Sequence, residues 1–182
     1  LALPNGLDVE KNPWIATTRT NWMDEVFRTA FYQRHNVAIN AGTDTFTNRL
    51  SFAYDNDEGV MRYTFNKNLA LHYTGKYQIN KWVSISEDFV WKNTESRTTD
   101  TNEGYTGPIL SAIYMPASAT VYSPFTKSGF GGTTTEDPKY IATYGNNFAD
   151  AHGDAVNPIS TLSSKNIFDR TNDAWSTTSL EI

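Results

Sequence analysis

Asn68-Leu69-Ala70-Leu71-His72-Tyr73-Thr74-Gly75-Lys76-Tyr77-Gln78-Ile79 decides the fold. Leu69, Leu71, Tyr73, Gly75, Tyr77 and Ile79 fall on one alternating set, and Ala70, His72, Thr74, Lys76 and Gln78 on the other. Successive side chains of a strand point to opposite faces, so a period of two marks a strand with two different surroundings. Here one surrounding is apolar and aromatic, the other polar.

The same rhythm extends both ways. From His35 to Gly42, Val37, Ile39 and Ala41 oppose Asn36, Ala38 and Asn40. From Phe46 to Asp55, Phe46, Asn48, Leu50, Phe52 and Tyr54 oppose Thr47, Arg49, Ser51, Ala53 and Asp55. From Val83 to Lys92, Val83, Ile85, Glu87, Phe89 and Trp91 oppose Ser84, Ser86, Asp88, Val90 and Lys92. Short turns separate these runs at Gly42-Thr43-Asp44-Thr45, Asp55-Asn56-Asp57-Glu58-Gly59 and Asn80-Lys81, so neighbours in sequence are antiparallel neighbours in space. Residues 171–182 resume the alternation, with Ala174, Ser176, Thr178, Leu180 and Ile182 on one face.

Composition says what the apolar face meets. Aromatic residues make up 14% of the chain, yet its mean hydropathy is -0.53. Strands that alternate lipid-facing and lumen-facing residues between aromatic girdles average out this way. No run approaches the roughly 20 apolar residues of a membrane helix, which does not bear on a barrel. With no Cys, disulfides, thiolate metal sites and cysteine nucleophiles are excluded. A net charge of -5 without a basic patch gives no footprint for nucleic acid.

The expected fold is therefore all-β: an antiparallel meander of long strands, part of a large transmembrane β-barrel, with one long external loop. Residues 1–32 read as the end of an external loop with a short helical turn, Trp22, Val26 and Phe27 sharing one side. Residues 33–94 read as a four-strand barrel meander, 95–170 as a long extracellular loop, and 171–182 as the start of a barrel strand that the chain end cuts short. Thr, Ser, Asn, Gly and Pro dominate 95–170, and so long an irregular connection is foreign to a compact soluble domain. Barrels keep long loops outside and short turns in the periplasm, which orients the chain: the 80–81 and 42–45 turns periplasmic, the 55–62 turn external. Leu1 is not an initiator Met and no signal peptide precedes it, so the chain is expected to be part of a longer protein.

Several residues depart from the pattern or invite a chemical reading. Glu87 lies on the apolar face; a bulge, a pairing with a neighbouring strand and a protein partner all remain open. Asp55, Asp57 and Glu58 offer oxygen ligands of the calcium kind, but lack EF-hand spacing and read as a solvated turn. His35, His72 and His152 are scattered, and His72 is on a polar face. Gly129-Phe130-Gly131-Gly132 has no strand-to-helix context and reads as a flexible loop tip. Tyr54, Tyr63, Tyr73, Tyr77, Trp82 and Trp91 suit an interfacial girdle. Tyr105, Tyr114, Tyr122, Phe125, Phe130, Tyr140 and Tyr144 suit sugar stacking, a lid partner or packing within the loop equally. No nucleophile elbow, P-loop or zinc-protease motif occurs, so no catalytic, cofactor or metal residue is assigned and no enzyme is expected.

Thr20-Asn21-Trp22-Met23-Asp24-Glu25-Val26-Phe27-Arg28 resembles a segment of SusC/RagA-type TonB-dependent transporters, with Met23 in place of the usual Gln and Asn21 of Asp. His35–Gly42, Tyr54-Asp55-Asn56-Asp57-Glu58-Gly59-Val60, Asn80-Lys81-Trp82 and Asn157-Pro158 are similar to the elements that follow it in that family. The likeness is strongest over 20–94. It implies a closed outer-membrane barrel with an N-terminal plug, a SusD-like lipoprotein as lid, energy from the TonB complex acting through the plug, and oligosaccharide or peptide substrates. No plug or TonB box occurs in this chain, so transport would belong to the parent protein. The lumen-facing set would be Arg49, Asp55, His72, Lys76, Asp88 and Lys92. The rival readings are a secreted soluble β-domain that binds carbohydrate or acts as an adhesin, and an all-β hydrolase fragment.

Overall fold

The computed structural model describes residues 9–10, 13–99, 104–122, 129–131, 155–164 and 166–182, the side chains of Trp14, Tyr105 and Asn166 excepted. The chain divides into two compact units.

The larger secondary structure is an open five-stranded antiparallel meander: β1 (Tyr32–Gly42), β2 (Phe46–Glu58), β3 (Phe65–Gln78), β4 (Ser84–Thr99) and β5 (Asn166–Glu181), in spatial order β1-β2-β3-β4-β5. An unclosed meander fits a stretch of barrel wall. The register follows the alternation: Val37, Phe52, Leu71 and Trp91 lie side by side, as do Ile39, Leu50, Tyr73 and Phe89. Beside β4, the side chains of β5 meet it in opposite sense, Glu181 at Ser84 and Asn172 at Asn93.

Local chemistry sets the turns. Thr43 and Phe46 exchange backbone hydrogen bonds across the β1–β2 turn. Between β3 and β4, the Asn80 side-chain oxygen accepts from the amides of Trp82 (2.8 Å) and Val83 (2.9 Å), an Asx turn. At the β2–β3 connection a Cβ on Gly59 would fall 1.8 Å from Thr64 Oγ1, so only glycine fits, and Tyr63 takes a left-handed φ of 67°.

The strands outrun the alternation. Residues Asp55–Glu58, expected as a turn, continue β2; β3 begins at Phe65 rather than 68, β4 runs on to Thr99, and β5 begins at Asn166 rather than 171. In these extensions both faces are largely polar (Asn56, Asp57, Asn66, Lys67, Glu95, Ser96), so the backbone ladder persists where the period-two signal has faded.

The other unit takes in residues 1–29, 60–63 and 99–167. Within it are α1 (Trp22–Val26), α2 (Pro108–Tyr114) and α3 (Pro158–Ser164). Segment 95–170 is thus not wholly irregular. Both α2 and α3 start with a proline at the first helical position, after Gly107 and Asn157, where the missing N–H costs nothing. The buried hydrophobic residues of the described chain all lie in this unit: Trp22, Val26, Ala112, Met115, Ala119, Ala155, Ile159 and Leu162. Trp22 donates its indole N–H to the Pro116 carbonyl (2.9 Å), while Thr20 bonds the Ala117 and Ala119 carbonyls. Segment 60–63 joins α1 through Arg28 N–H to Val60 O and Arg62 N–H to Val26 O.

Asn157 is the polar centre of this unit and is fully buried. Its side-chain N–H groups donate to Val121 O (2.8 Å) and Gly131 O (2.7 Å), while its Oδ1 accepts from the amides of Ile159 and Ser160 to cap α3. Gly131 is correspondingly buried, and a Cβ there would lie 2.2 Å from the Thr120 carbonyl oxygen. The loop tip expected at Gly129–Gly132 is therefore corrected at Gly131, which packs because its amide also bonds Val121 O; Gly132 lies outside the described residues.

Asn157→Ala should destabilise this unit by roughly 2–4 kcal/mol, from a lost cap, a stranded Gly131 carbonyl and a weakened Val121 carbonyl that keeps the Gly131 amide. Amide hydrogen exchange should accelerate at 119–122 and 157–162 and stay unchanged in β2 and β3.

Candidate functional site

The two faces of the sheet are the candidate site. Phe46, Tyr77 and Ile85 form the first row of the apolar face, and His35, Tyr54 and Leu69 the last. Aromatic pairs mark both ends: Phe46 meets Tyr77 edge-on at 6.3 Å, and His35 stacks on Tyr54 at 6.4 Å. From Phe46 to Tyr54 the strand advances about 26 Å, or about 20 Å along a barrel axis once tilt is included, against a lipid band of ~25 Å. Beyond that row come Gln33, Asn56, Lys67 and Glu95.

This face has no core. Val37 is 60% exposed and Ile39 64%, whereas Trp22 and Val26 in the other unit are 3% and 0% exposed. Leu50, Phe52, Tyr77, Ile85 and Leu180 are exposed as well. A sheet in water would pack such side chains against a second layer. Among the described residues of this unit, none provides one.

Glu87 is resolved by its neighbours. Its carboxylate accepts hydrogen bonds from the hydroxyls of Ser176 and Thr178 on β5, so the reading that stands is a pairing with the adjacent strand. Opposite Glu87 is Gly75. A Cβ there would lie 2.5 Å from Tyr73 Oη, because the Tyr73 ring folds over Gly75 to donate to Asn48 Oδ1 (2.8 Å). Asn48, Tyr73, Glu87, Ser176 and Thr178 thus form a polar belt one row in from the Phe46 end. Belonging to strands far apart in sequence, these partners were invisible to a strand-by-strand reading.

The opposite face carries Arg49, Asp55, His72, Lys76, Asp88 and Lys92 together, as the alternation requires. His72 Nε2 lies 3.0 Å from Asp88 Oδ1, Arg34 donates to Asp55 at 2.6 Å, and Lys76 donates to Glu181 at 2.8 Å. Arg49 reaches Asn40 Oδ1 at 3.2 Å. Arg49, Thr74, Lys76, Asp88, Thr177 and Ser179 line a trough of about 640 Å³. These pairs are solvent-exposed, so water screens them and their effect is to set a polar lining rather than to hold the sheet together. Asp55 and Asp57 fall on this face and Glu58 on the other, which divides the acidic cluster; among the described residues no three potential ligands converge on a metal position.

Other residues scatter. Trp82 is exposed in the β3–β4 turn, Tyr63 belongs to the 60–63 segment, and Trp91 lies mid-face beside Leu71. Tyr122 stacks on Phe130 at 5.8 Å, and Tyr114 is exposed on α2. Phe125, Tyr140, Tyr144, His152 and the side chain of Tyr105 lie outside the described residues.

No protein-family profile matches the chain. It is 26% identical over 168 residues to the TonB-dependent receptor SusC of Bacteroides thetaiotaomicron. The likeness is to a TonB-dependent receptor. The match takes in 87% of this chain but spans only 16% of SusC.

Replacing Glu87 by Leu should loosen β5, while Glu87→Gln, which keeps one accepting oxygen, should loosen it less. Amide exchange over 174–180 reads the difference; equal protection in both variants and the parent would show that the carboxylate does not hold the strand.

Proposed function

We infer that this chain is part of the wall of an outer-membrane β-barrel in a TonB-dependent importer of oligosaccharides or peptides. The observation that carries the reading is the aromatic-bounded apolar face with no protein layer over it, backed by a polar face. The likeness to SusC is the independent support. In hydrocarbon every backbone N–H and C=O must be paired laterally, and a meander does this at all but its outer edges, where further strands of the parent protein would continue the wall.

The polar face then lines the lumen, where the Arg34–Asp55, His72–Asp88 and Lys76–Glu181 pairs meet plug or solute. The connection between β4 and β5 forms the long extracellular loop, joined outside by the segment before β1 and the β2–β3 connection. That 1–29, 60–63 and 99–167 pack into one unit supports placing all three on one side of the membrane. A SusD-like lipoprotein would meet this surface, and the TonB complex would act through a plug in the parent protein. The chain's own part is to form wall and entrance; no step of catalysis is assigned to it. A secreted soluble carbohydrate-binding or adhesive domain is the rival, and it requires a second layer on the apolar face.

Single cysteines at Leu50, Phe52 and Leu71 in the intact protein, carrying a fluorophore, should be quenched by brominated lipid. Labels at Arg49 and Lys76 should answer to aqueous iodide instead. Iodide quenching at the first set with no effect of brominated lipid would sink the barrel reading.

A further inference from the structure

One row in from the Phe46 end, the lipid-side face carries a notch of about 190 Å³. Gly75 gives it room, since β3 sends out no side chain there between Asn48 and Glu87. Phe46, Tyr73 and Tyr77 border the notch, as do Glu87 and Thr178, and Phe46 and Tyr77 are exposed. The hydroxyls of Ser176 and Thr178 give the Glu87 carboxylate two hydrogen bonds. An ionised carboxylate has about four acceptor sites, so it can accept more. The hydroxyls are also neutral and leave its negative charge unbalanced. Among the described residues no cation pairs with Glu87. Lys76, which also borders the notch, belongs to the polar face and gives its ammonium to Glu181 at 2.8 Å.

A negative charge on a lipid-facing surface has a complement that the bilayer itself supplies. The Glu87 row lies about 5 Å inside the edge of the apolar band once strand tilt is included, close to where headgroups begin. Aromatic rings bordering a carboxylate attract a cation too. We propose that this notch binds the primary ammonium of a zwitterionic lipid, of the ethanolamine kind, bordering the barrel. The ammonium donates to the remaining acceptor positions of Glu87, with Phe46 and Tyr77 flanking it. The occupant is a lipid because the rows beyond, Leu50-Tyr73-Phe89 and Phe52-Leu71-Trp91, would lie along its acyl chains. A quaternary ammonium lacks the N–H that the carboxylate accepts, and an anionic headgroup would be repelled. This inference rests on the membrane-wall reading.

The test uses the intact protein that carries this segment, reconstituted into vesicles of phosphatidylethanolamine, phosphatidylcholine and phosphatidylglycerol in equal parts. Native mass spectrometry reads which lipid the inserted protein retains relative to the bulk. Wild type should retain phosphatidylethanolamine in excess. Glu87→Gln, which keeps an oxygen for the β5 hydroxyls but no charge, should cut that excess roughly tenfold. Tyr77→Leu should cut it by a smaller factor. Glu95→Gln, at the opposite end of the same face, should leave it unchanged. An undiminished excess in both notch variants, an equal loss with Glu95→Gln, or displacement by millimolar free ethanolamine would overturn the lipid site. Insertion of the wild type without any excess would overturn this inference alone; its failure to insert would overturn the membrane reading as well.

Discussion

The constraint on which the sheet depends is lateral pairing of the backbone. Each strand bonds its neighbour through long unbroken registers, Tyr32 to Gly42 against Asp57 to Thr47 and Phe46 to Glu58 against Tyr77 to Phe65. Because the ladder satisfies the peptide groups within the sheet plane, side chains on either face are released from any duty to form a protein core. That freedom explains how Val37, Ile39 and Leu50 stay exposed without the strands coming apart. The exposed ion pairs of the polar face are too weak to do this work.

The two units solve the same problem in opposite ways. In the sheet, regular backbone bonding comes first and the side chains take whatever solvent each face meets. In the helical unit, regular bonding is scarce, since α1, α2 and α3 are each too short to be stable by themselves. Side chains therefore satisfy the backbone: Trp22 and Thr20 bond the carbonyls of Pro116, Ala117 and Ala119, and Asn157 bonds those of Val121 and Gly131. Burial of Trp22, Val26, Ile159 and Leu162 then holds those contacts away from water. A polar side chain so placed is worth more than a larger apolar one would be, because it removes orphaned carbonyls.

The polar belt on the apolar face follows the same economy of pairing. Tyr73 covers Gly75 and ends on Asn48, while Glu87 ends on Ser176 and Thr178. In this belt the Tyr73 hydroxyl and the Glu87 carboxylate each find partners on an adjoining strand, which removes the penalty that made Glu87 anomalous in the sequence. The cost is a demand on neighbours: β4 tolerates a glutamate only where β5 presents hydroxyls and β3 presents no side chain.

The amino-acid sequence alone determined the meander, its antiparallel order and the division of Leu50, Leu71 and Trp91 from Arg49, His72 and Lys76, because period two and short turns are local properties. The strand extensions were hidden, since Asn56, Lys67 and Glu95 carry no contrast between faces. The helices α2 and α3 left a signal in Gly107-Pro108 and Asn157-Pro158, which the polar composition around them obscured. Only the tertiary structure decided the partners of Glu87, the burial of Gly131 and Asn157, and the pairing of Arg170 with Glu95. Each of these joins strands or loops far apart along the chain, and pairing across such distances is set by register and packing rather than by any pattern within one segment.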